Sequence, residues 1–136
     1  MVTRLLLDTQ LLLWWLKGDA RLPQAVIERV QAPEAEVFIS QASLWELAIK
    51  VSVGHLQVDL PNLERQVSLH GYRWLPISNG HLLAVADLKS DGVHQKGIHL
   101  DSFDRLLVCQ SRVEPMLLLT ADSQPKHYGF TVLVLD

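Results

Sequence analysis

The chain has 136 residues, 49% hydrophobic and 20% charged, with a formal net charge of −3 and a pI near 6.0. That is enough apolar material for one ordinary domain with a packed core, while the acidic balance argues against a broad polyanion-binding surface, which needs clustered Lys and Arg. Cys109 is the sole cysteine, which excludes an intramolecular disulfide, argues against a thiolate zinc site and fits a reducing, cytoplasmic setting.

Leu5-Leu6-Leu7 is a short, continuously apolar run, the pattern of a strand buried on both faces of a parallel sheet. It ends at Asp8, and Thr9 is placed to cap a helix whose residues Leu11 to Leu16, including Trp14 and Trp15, are apolar on nearly every side. Such a helix needs cover on more than one face. Asp8, Thr9 and Gln10 interrupt the early apolar stretch, so neither a signal peptide nor a membrane span is expected. Gly18-Asp19 stops the helix, and Leu22 to Val30 reads as a second one with Pro23 in its first turn. Val37-Phe38-Ile39 is another strand pattern, followed by Ser40 as cap of a helix from about Ala42 to Ser52. Its apolar stripe is Leu44, Leu47, Ala48 and Val51; Glu46 lies off that stripe. Val53 to Pro61 reads as extended, Asn62 to His70 as a helix, Trp74 to Ile77 as a brief strand, and Ser78 as the cap of a helix reaching about Leu88. Lys89 to Leu100, polar with Gly92 and Gly97, reads as an exposed loop.

That loop turns into a helix within Gly97 to Leu107, where Asp101 and Asp104 stand three residues apart. Asp101 as N-cap and Asp104 at the third helical position would both complement the helix dipole. The alternative is that at least one of them points into an acidic, metal-binding pocket. Phe103, Leu106, Leu107 and Gln110 mark one face of this helix. Met116 to Leu119 then repeats the pattern of the first strand, and Thr120-Ala121-Asp122 repeats its ending. In a parallel sheet Asp8 and Asp122 would both lie beyond carboxyl ends of strands, where open α/β sheets bind ligands. Thr131 to Leu135 supplies a last strand, and the alternation of β and α units without repeat or linker predicts a single α/β domain over 1–136.

Asp8, Glu46, Asp101, Asp104 and Asp122 come from four separated segments. Caps or strand-end turns account for Asp8 and Asp122 taken singly, and Glu46 can pair with Lys50 at i,i+4, worth about 0.3–0.5 kcal/mol on a surface. If the acids converge, repulsion is severe without a cation, and the group becomes a site for one or two Mg²⁺ or Mn²⁺ ions. Oxygen-only ligands favour such hard metals over zinc. A carboxylate-held metal suits phosphodiester hydrolysis, because it activates water and offsets charge on the leaving oxygen without a side-chain nucleophile. Arg105, Lys50, Lys126 and Arg112 are candidates for contacts to a substrate backbone, with solvated surface as the alternative for each.

Taken together, Leu5-Leu6-Leu7-Asp8-Thr9, Ser43-Leu44-Trp45-Glu46-Leu47, His99-Leu100-Asp101-Ser102-Phe103-Asp104-Arg105-Leu106-Leu107 and Leu119-Thr120-Ala121-Asp122 resemble the PIN domain family. The closest resemblance is to VapC-type toxins of bacterial toxin–antitoxin systems. It implies a Rossmann-like PIN domain, a short central parallel sheet flanked by helices in α/β/α layers, with Mg²⁺- or Mn²⁺-dependent endoribonuclease activity. By position, Asp8, Glu46, Asp104 and Asp122 match the family's acidic quartet, with Asp101 as an auxiliary acid and Thr9 and Thr120 as flanking polar residues. The resemblance also implies RNA as substrate, a homodimer, and a cognate antitoxin that blocks the site. Ser102 stands where the family usually has Pro, whose fixed φ suits the first helical position; slightly looser local geometry is expected. Two other readings stay open: a PIN-like module that binds a partner protein or RNA without turnover, and a receiver-like phosphoryl-transfer domain. The latter wants adjacent acids at the first strand end, where this chain has Asp8-Thr9-Gln10, and an Asp on a middle strand, where it has Ile39-Ser40.

Overall fold

The computed structural model describes residues 1–88, 100–129 and 131–136. Its strands β1 (Thr3–Leu7), β2 (Ala35–Ser40), β3 (Arg73–Leu75), β4 (Leu117–Thr120) and β5 (Val132–Val134) form one sheet in the order β3-β2-β1-β4-β5. All four pairings are parallel, so each connection has to cross over a face of the sheet. The crossings are made by α1 (Thr9–Lys17), α2 (Gln24–Gln31), α3 (Gln41–Ser52), α4 (Leu60–Leu69), α5 (Asn79–Ala86) and α6 (Ser102–Val113), with a short 3₁₀ segment, Gln124–Tyr128, before β5. This is an α/β fold with a five-stranded parallel sheet between helices.

Period-two alternation divides the apolar strand residues between two cores. Leu5, Leu7, Val37, Ile39 and Leu119 pack with Leu11, Leu12, Val26, Leu47, Leu63 and Val67 from α1 to α4. Leu6, Phe38 and Leu118 face the other way, onto Leu106, Leu107, Val108 and Tyr128. Burial on both faces explains why the central strands have no polar alternation. The apolar helix α1 is covered accordingly: Leu11 and Leu12 are fully buried, and Leu13 to Leu16 are half-buried against the same core.

Local chemistry shifts several boundaries from the sequence expectation. Thr9 does not cap α1. Asp8 does, its side chain accepting the Leu11 N–H at 2.8 Å. Helix α4 begins at Leu60 rather than Asn62, because Asp59 caps it through the Asn62 N–H and Pro61 fits the first turn. Strand β3 stops at Leu75 rather than Ile77, since Pro76 has no N–H to continue the ladder. Ser40 and Ser78 cap α3 and α5 as expected. The loop expected over Lys89 to Leu100 lies, apart from Leu100, outside the described residues, as do Gly97, Ile98 and His99.

A buried polar chain ties three helices together behind the sheet. His81 Nδ1 accepts the Ser78 N–H at 3.0 Å, while its Nε2 lies 2.6 Å from Glu114 Oε2. Gln110 Nε2 approaches His81 Nδ1 at 3.3 Å, and Gln110 Oε1 accepts the Ser40 hydroxyl at 2.6 Å. Ser40 in turn accepts the Ala42 N–H that begins α3. Every member has a partner, as buried polar groups require.

Candidate active site

Strands β1 and β4 are neighbours at the middle of the sheet, and Asp8 and Asp122 follow their carboxyl ends. The Asp8 N–H donates to the Leu119 carbonyl at 3.1 Å, so the acid is held at the last rung of the ladder. From β2, on the other side of β1, the chain passes directly into α3, and Glu46 sits on that helix's second turn, 8% exposed like Asp8. Asp104 comes from the first turn of α6, whose N-cap Asp101 accepts the Asp104 N–H at 2.8 Å. Asp8, Glu46, Asp101, Asp104 and Asp122 all line one cleft of about 500 Å³, with Thr9, Gln10, Lys50 and His55 among the remaining walls.

Thr9 and Thr120 support the acids from below. The Thr9 hydroxyl lies 2.9 Å from that of Ser43 in a buried pair joining α1 to α3, the helix that carries Glu46. The Thr120 hydroxyl hydrogen-bonds the Asp8 side chain and accepts the Asp122 backbone N–H at 3.0 Å. The sequence pattern named both threonines, though not these partners.

Electrostatics link the acids more tightly than contact does. Burial pushes the Asp8 carboxyl up to about 6; the bonds from Thr120 and the Leu11 N–H pull it down, and the charges of Asp122 and Glu46 raise it again. Asp104 is pushed up to about 7, first by burial and then by the charges of Asp101, Asp8, Glu46 and Asp122. Acids from four segments therefore feel one another. Among the described residues, no three carboxylate, imidazole or thiol groups yet converge on a single point as ligands. Glu46 is turned instead to Lys50, whose ammonium meets Oε2 at 2.8 Å. The i,i+4 pair read from the sequence thus exists, but with its acid inside the cleft rather than on a surface. The five acids offer oxygen donors only, the set that suits Mg²⁺ or Mn²⁺.

Two walls of the cleft had no obvious signal in the sequence. Gln10 follows directly from the Asp8 cap. His55 arrives by a helix-ending turn: Gly54 adopts φ +78°, the Gly54 N–H bonds the Val51 carbonyl, and the His55 N–H bonds Lys50 at 2.9 Å. That double bond pattern is a Schellman motif, and Val53-Gly54 after a helical stripe is the cue that would have found it. Arg105 does not line the cleft; its Nε turns back to the Leu100 carbonyl at 3.1 Å. Arg112 lies over Gly129, where a Cβ would come within 2.8 Å of its guanidinium.

Comparison with known proteins identifies the fold. The fold is similar to that of VapBC2 from Rickettsia felis, solved bound to a promoter DNA fragment, at 16% identity and a TM-score of 0.71 over 98% of this chain and 100% of that one. It is also similar to FitAcB from Neisseria gonorrhoeae, at 18% identity and 0.65 over 97% and 96% of the two chains. A toxin–antitoxin complex from Klebsiella pneumoniae matches at 15% identity and 0.61 over 95% of each. No curated protein matches the sequence. The model of the PIN domain covers residues 5–131, nearly the whole chain and all five cleft acids, and the chain belongs to the PIN domain family.

Proposed function

We propose that the chain is a metal-dependent endoribonuclease and the toxin of a toxin–antitoxin pair, with Asp8, Glu46, Asp104 and Asp122 as the ligand set for one or two Mg²⁺ or Mn²⁺ ions. The observation that carries this reading is the meeting of these acids in one cleft beyond β1 and β4, with Asp8 and Asp104 both driven toward neutrality, first by burial and then by the charges of other cleft acids. A divalent cation relieves that repulsion and supplies, when bound, water activation and neutralisation of charge on the leaving oxygen. The protein's own part is placement. Asp8 is fixed by the α1 cap and Thr120, Asp104 by the start of α6, and Asp122 by its backbone bond to Thr120. Lys50 neutralises Glu46 in the cleft, and a cation that took Glu46 as a ligand would leave the ammonium for a phosphate.

The toxin assignment rests on the motif resemblance to VapC-type toxins and on the fold likeness to VapBC2 and to a toxin–antitoxin complex over nearly full length. An antitoxin and a second copy of the chain are the expected protein partners. The test is cleavage of mixed single-stranded RNA by purified protein in Mg²⁺ or Mn²⁺. Asp8→Asn and Asp104→Asn should each abolish cutting while the protein stays folded; cutting that survives both substitutions, or persists in excess EDTA, refutes the proposal. The ion pair of Glu46 with Lys50 is the observation that favours the alternative, a PIN module that binds without turnover. Tight partner binding with no hydrolysis of any RNA would establish that alternative.

A further inference from the structure

We propose that Trp45, backed by Phe103, forms a base-stacking subsite beside the acidic cleft, taking an unpaired nucleobase of a single-stranded RNA adjacent to the scissile phosphate. The inference rests on reading the cleft as an RNA-hydrolysing site. Its starting point is a local coincidence in the chain: each of these aromatics immediately precedes an acid of the cleft, Trp45 before Glu46 on α3 and Phe103 before Asp104 on α6. Successive helical residues point about 100° apart, so each helix turns its acid inward and its aromatic to the rim.

The two rings meet edge to face, 5.0 Å between centroids and 74° between planes, making a corner. Trp45 is 55% exposed, a large aromatic surface left to solvent. Its ring partner Phe103 lines a hollow of about 310 Å³ together with Glu46, Ile49, Lys50, Asp101 and Ser102. Three of these residues, Glu46, Lys50 and Asp101, also line the acidic cleft, so the two spaces adjoin. A nucleobase suits this composition. It offers an apolar face to rings and a polar edge to a carboxylate, an ammonium and a hydroxyl, and unpaired RNA is recognised by stacking of this kind. Protein interface cores, by contrast, are depleted of charge, whereas here an ion pair stands at the border. Stacking tolerates any base, so the subsite would set the register of the strand against the cleft.

The test uses the full chain carrying Asp8→Asn, so that RNA is held without turnover, and a dye-labelled mixed-sequence single-stranded RNA in Mg²⁺. Trp45→Leu keeps apolar bulk without a π face, and Trp45→Tyr keeps the face. We expect Trp45→Leu to weaken RNA binding about ten-fold, Trp45→Tyr to retain most of the affinity, and light scattering to give one mass for all three proteins. Thermal melting checks that Trp45→Leu is folded; should it not be, loss of Trp fluorescence on RNA addition, present in the parent and reduced in Trp45→Tyr, reads the same contact. Affinity unchanged in Trp45→Leu overturns the subsite, and if the chain with Asp8 intact still cuts RNA the hydrolase reading stands. A change of mass with unchanged affinity also overturns it and makes the patch a contact between copies. Binding that depends on Trp45 in a chain that never cuts RNA keeps the subsite and removes only the hydrolase reading. No RNA bound by any variant overturns the subsite, and no RNA cut by the chain with Asp8 intact overturns the hydrolase reading.

Discussion

Thr120 holds Asp8 across the sheet: its hydroxyl, at the end of β4, hydrogen-bonds the carboxylate at the end of β1 while accepting the N–H of Asp122. One fully buried hydroxyl thereby sets the distance between two acids of the cleft. Replacing it with Val preserves shape and removes both bonds. We expect Thr120→Val to lose about 1–3 kcal/mol of stability in urea unfolding, the cost of leaving a buried polar group unsatisfied, and to lose most RNA cleavage. Thr120→Ser should restore both. Equal stability of the Val variant and the parent would show that the hydroxyl does no such work.

The raised acids give metal-free stability a definite pH dependence. Asp8 titrates near 6 in the fold against 3.8 as a free side chain, so between those values the folded state holds a proton that the unfolded chain has released. Stability from this group is therefore greatest below pH 4 and falls as pH rises through about 6. The full difference is on the order of 2–3 kcal/mol. Asp104, raised to about 7, acts in the same direction up to neutral pH. In EDTA, Asp8→Asn should gain stability over the parent on moving from pH 5 to pH 8, and Mg²⁺ should stabilise the parent more at pH 8 than at pH 5, because ligands bind deprotonated. Parallel melting curves for parent and variant across that range would contradict the assignment.

Asp101 and Asp104 are separable despite sharing one turn. Asp101 spends its side chain on the Asp104 N–H, as an N-cap does, so Asp101→Ala should cost about 1 kcal/mol and reduce RNA cleavage only in part. Asp104→Asn relieves repulsion among five acids, so it should leave stability unchanged or raised while abolishing cleavage. Urea unfolding and an RNA cleavage assay on the two variants decide the division, and interchanged effects would reverse it.

Ser102 occupies the first position of α6, where the helix does not need its N–H. Asp101 before it has φ −69° and ψ 170°, the extended conformation that a following proline prefers. Ser102→Pro should therefore raise stability by about 0.4–1 kcal/mol by restricting the unfolded chain, with cleavage undiminished. A lower melting temperature would mean that the N–H has a use in the folded protein.

Most of the sheet was legible because its central strands are short runs such as Leu5-Leu6-Leu7 and Leu117-Leu118-Leu119, buried on both faces and ended by a polar residue. The caps at Ser40, Ser78 and Asp101 were legible for the same local reason. What sequence alone gave poorly was division of labour between adjacent residues. Asp8 rather than Thr9 caps α1, its carboxylate accepting the Leu11 N–H while the Thr9 hydroxyl pairs with that of Ser43. Glu46 looked like half of a surface pair because burial by a cleft leaves no apolar stripe to read. His55 depended on the left-handed turn at Gly54, whose cue was that glycine just past the stripe, and Arg105 on a carbonyl five residues back, which does not follow from residue type.

The His81 imidazole carries a consequence for how this sequence can vary. Because Nδ1 is committed as acceptor to the Ser78 N–H, the ring is fixed as the tautomer whose proton sits on Nε2 and is donated to Glu114. The residue must then be flat, 2% exposed, and polar at two atoms with opposite roles. An amide could supply the donor and acceptor but not the same spacing, while an aliphatic would strand Glu114 and part of Gln110. Drift at position 81 is therefore blocked unless 110 and 114 change with it, which makes these three sites, remote from the acids, a unit that would be inherited together.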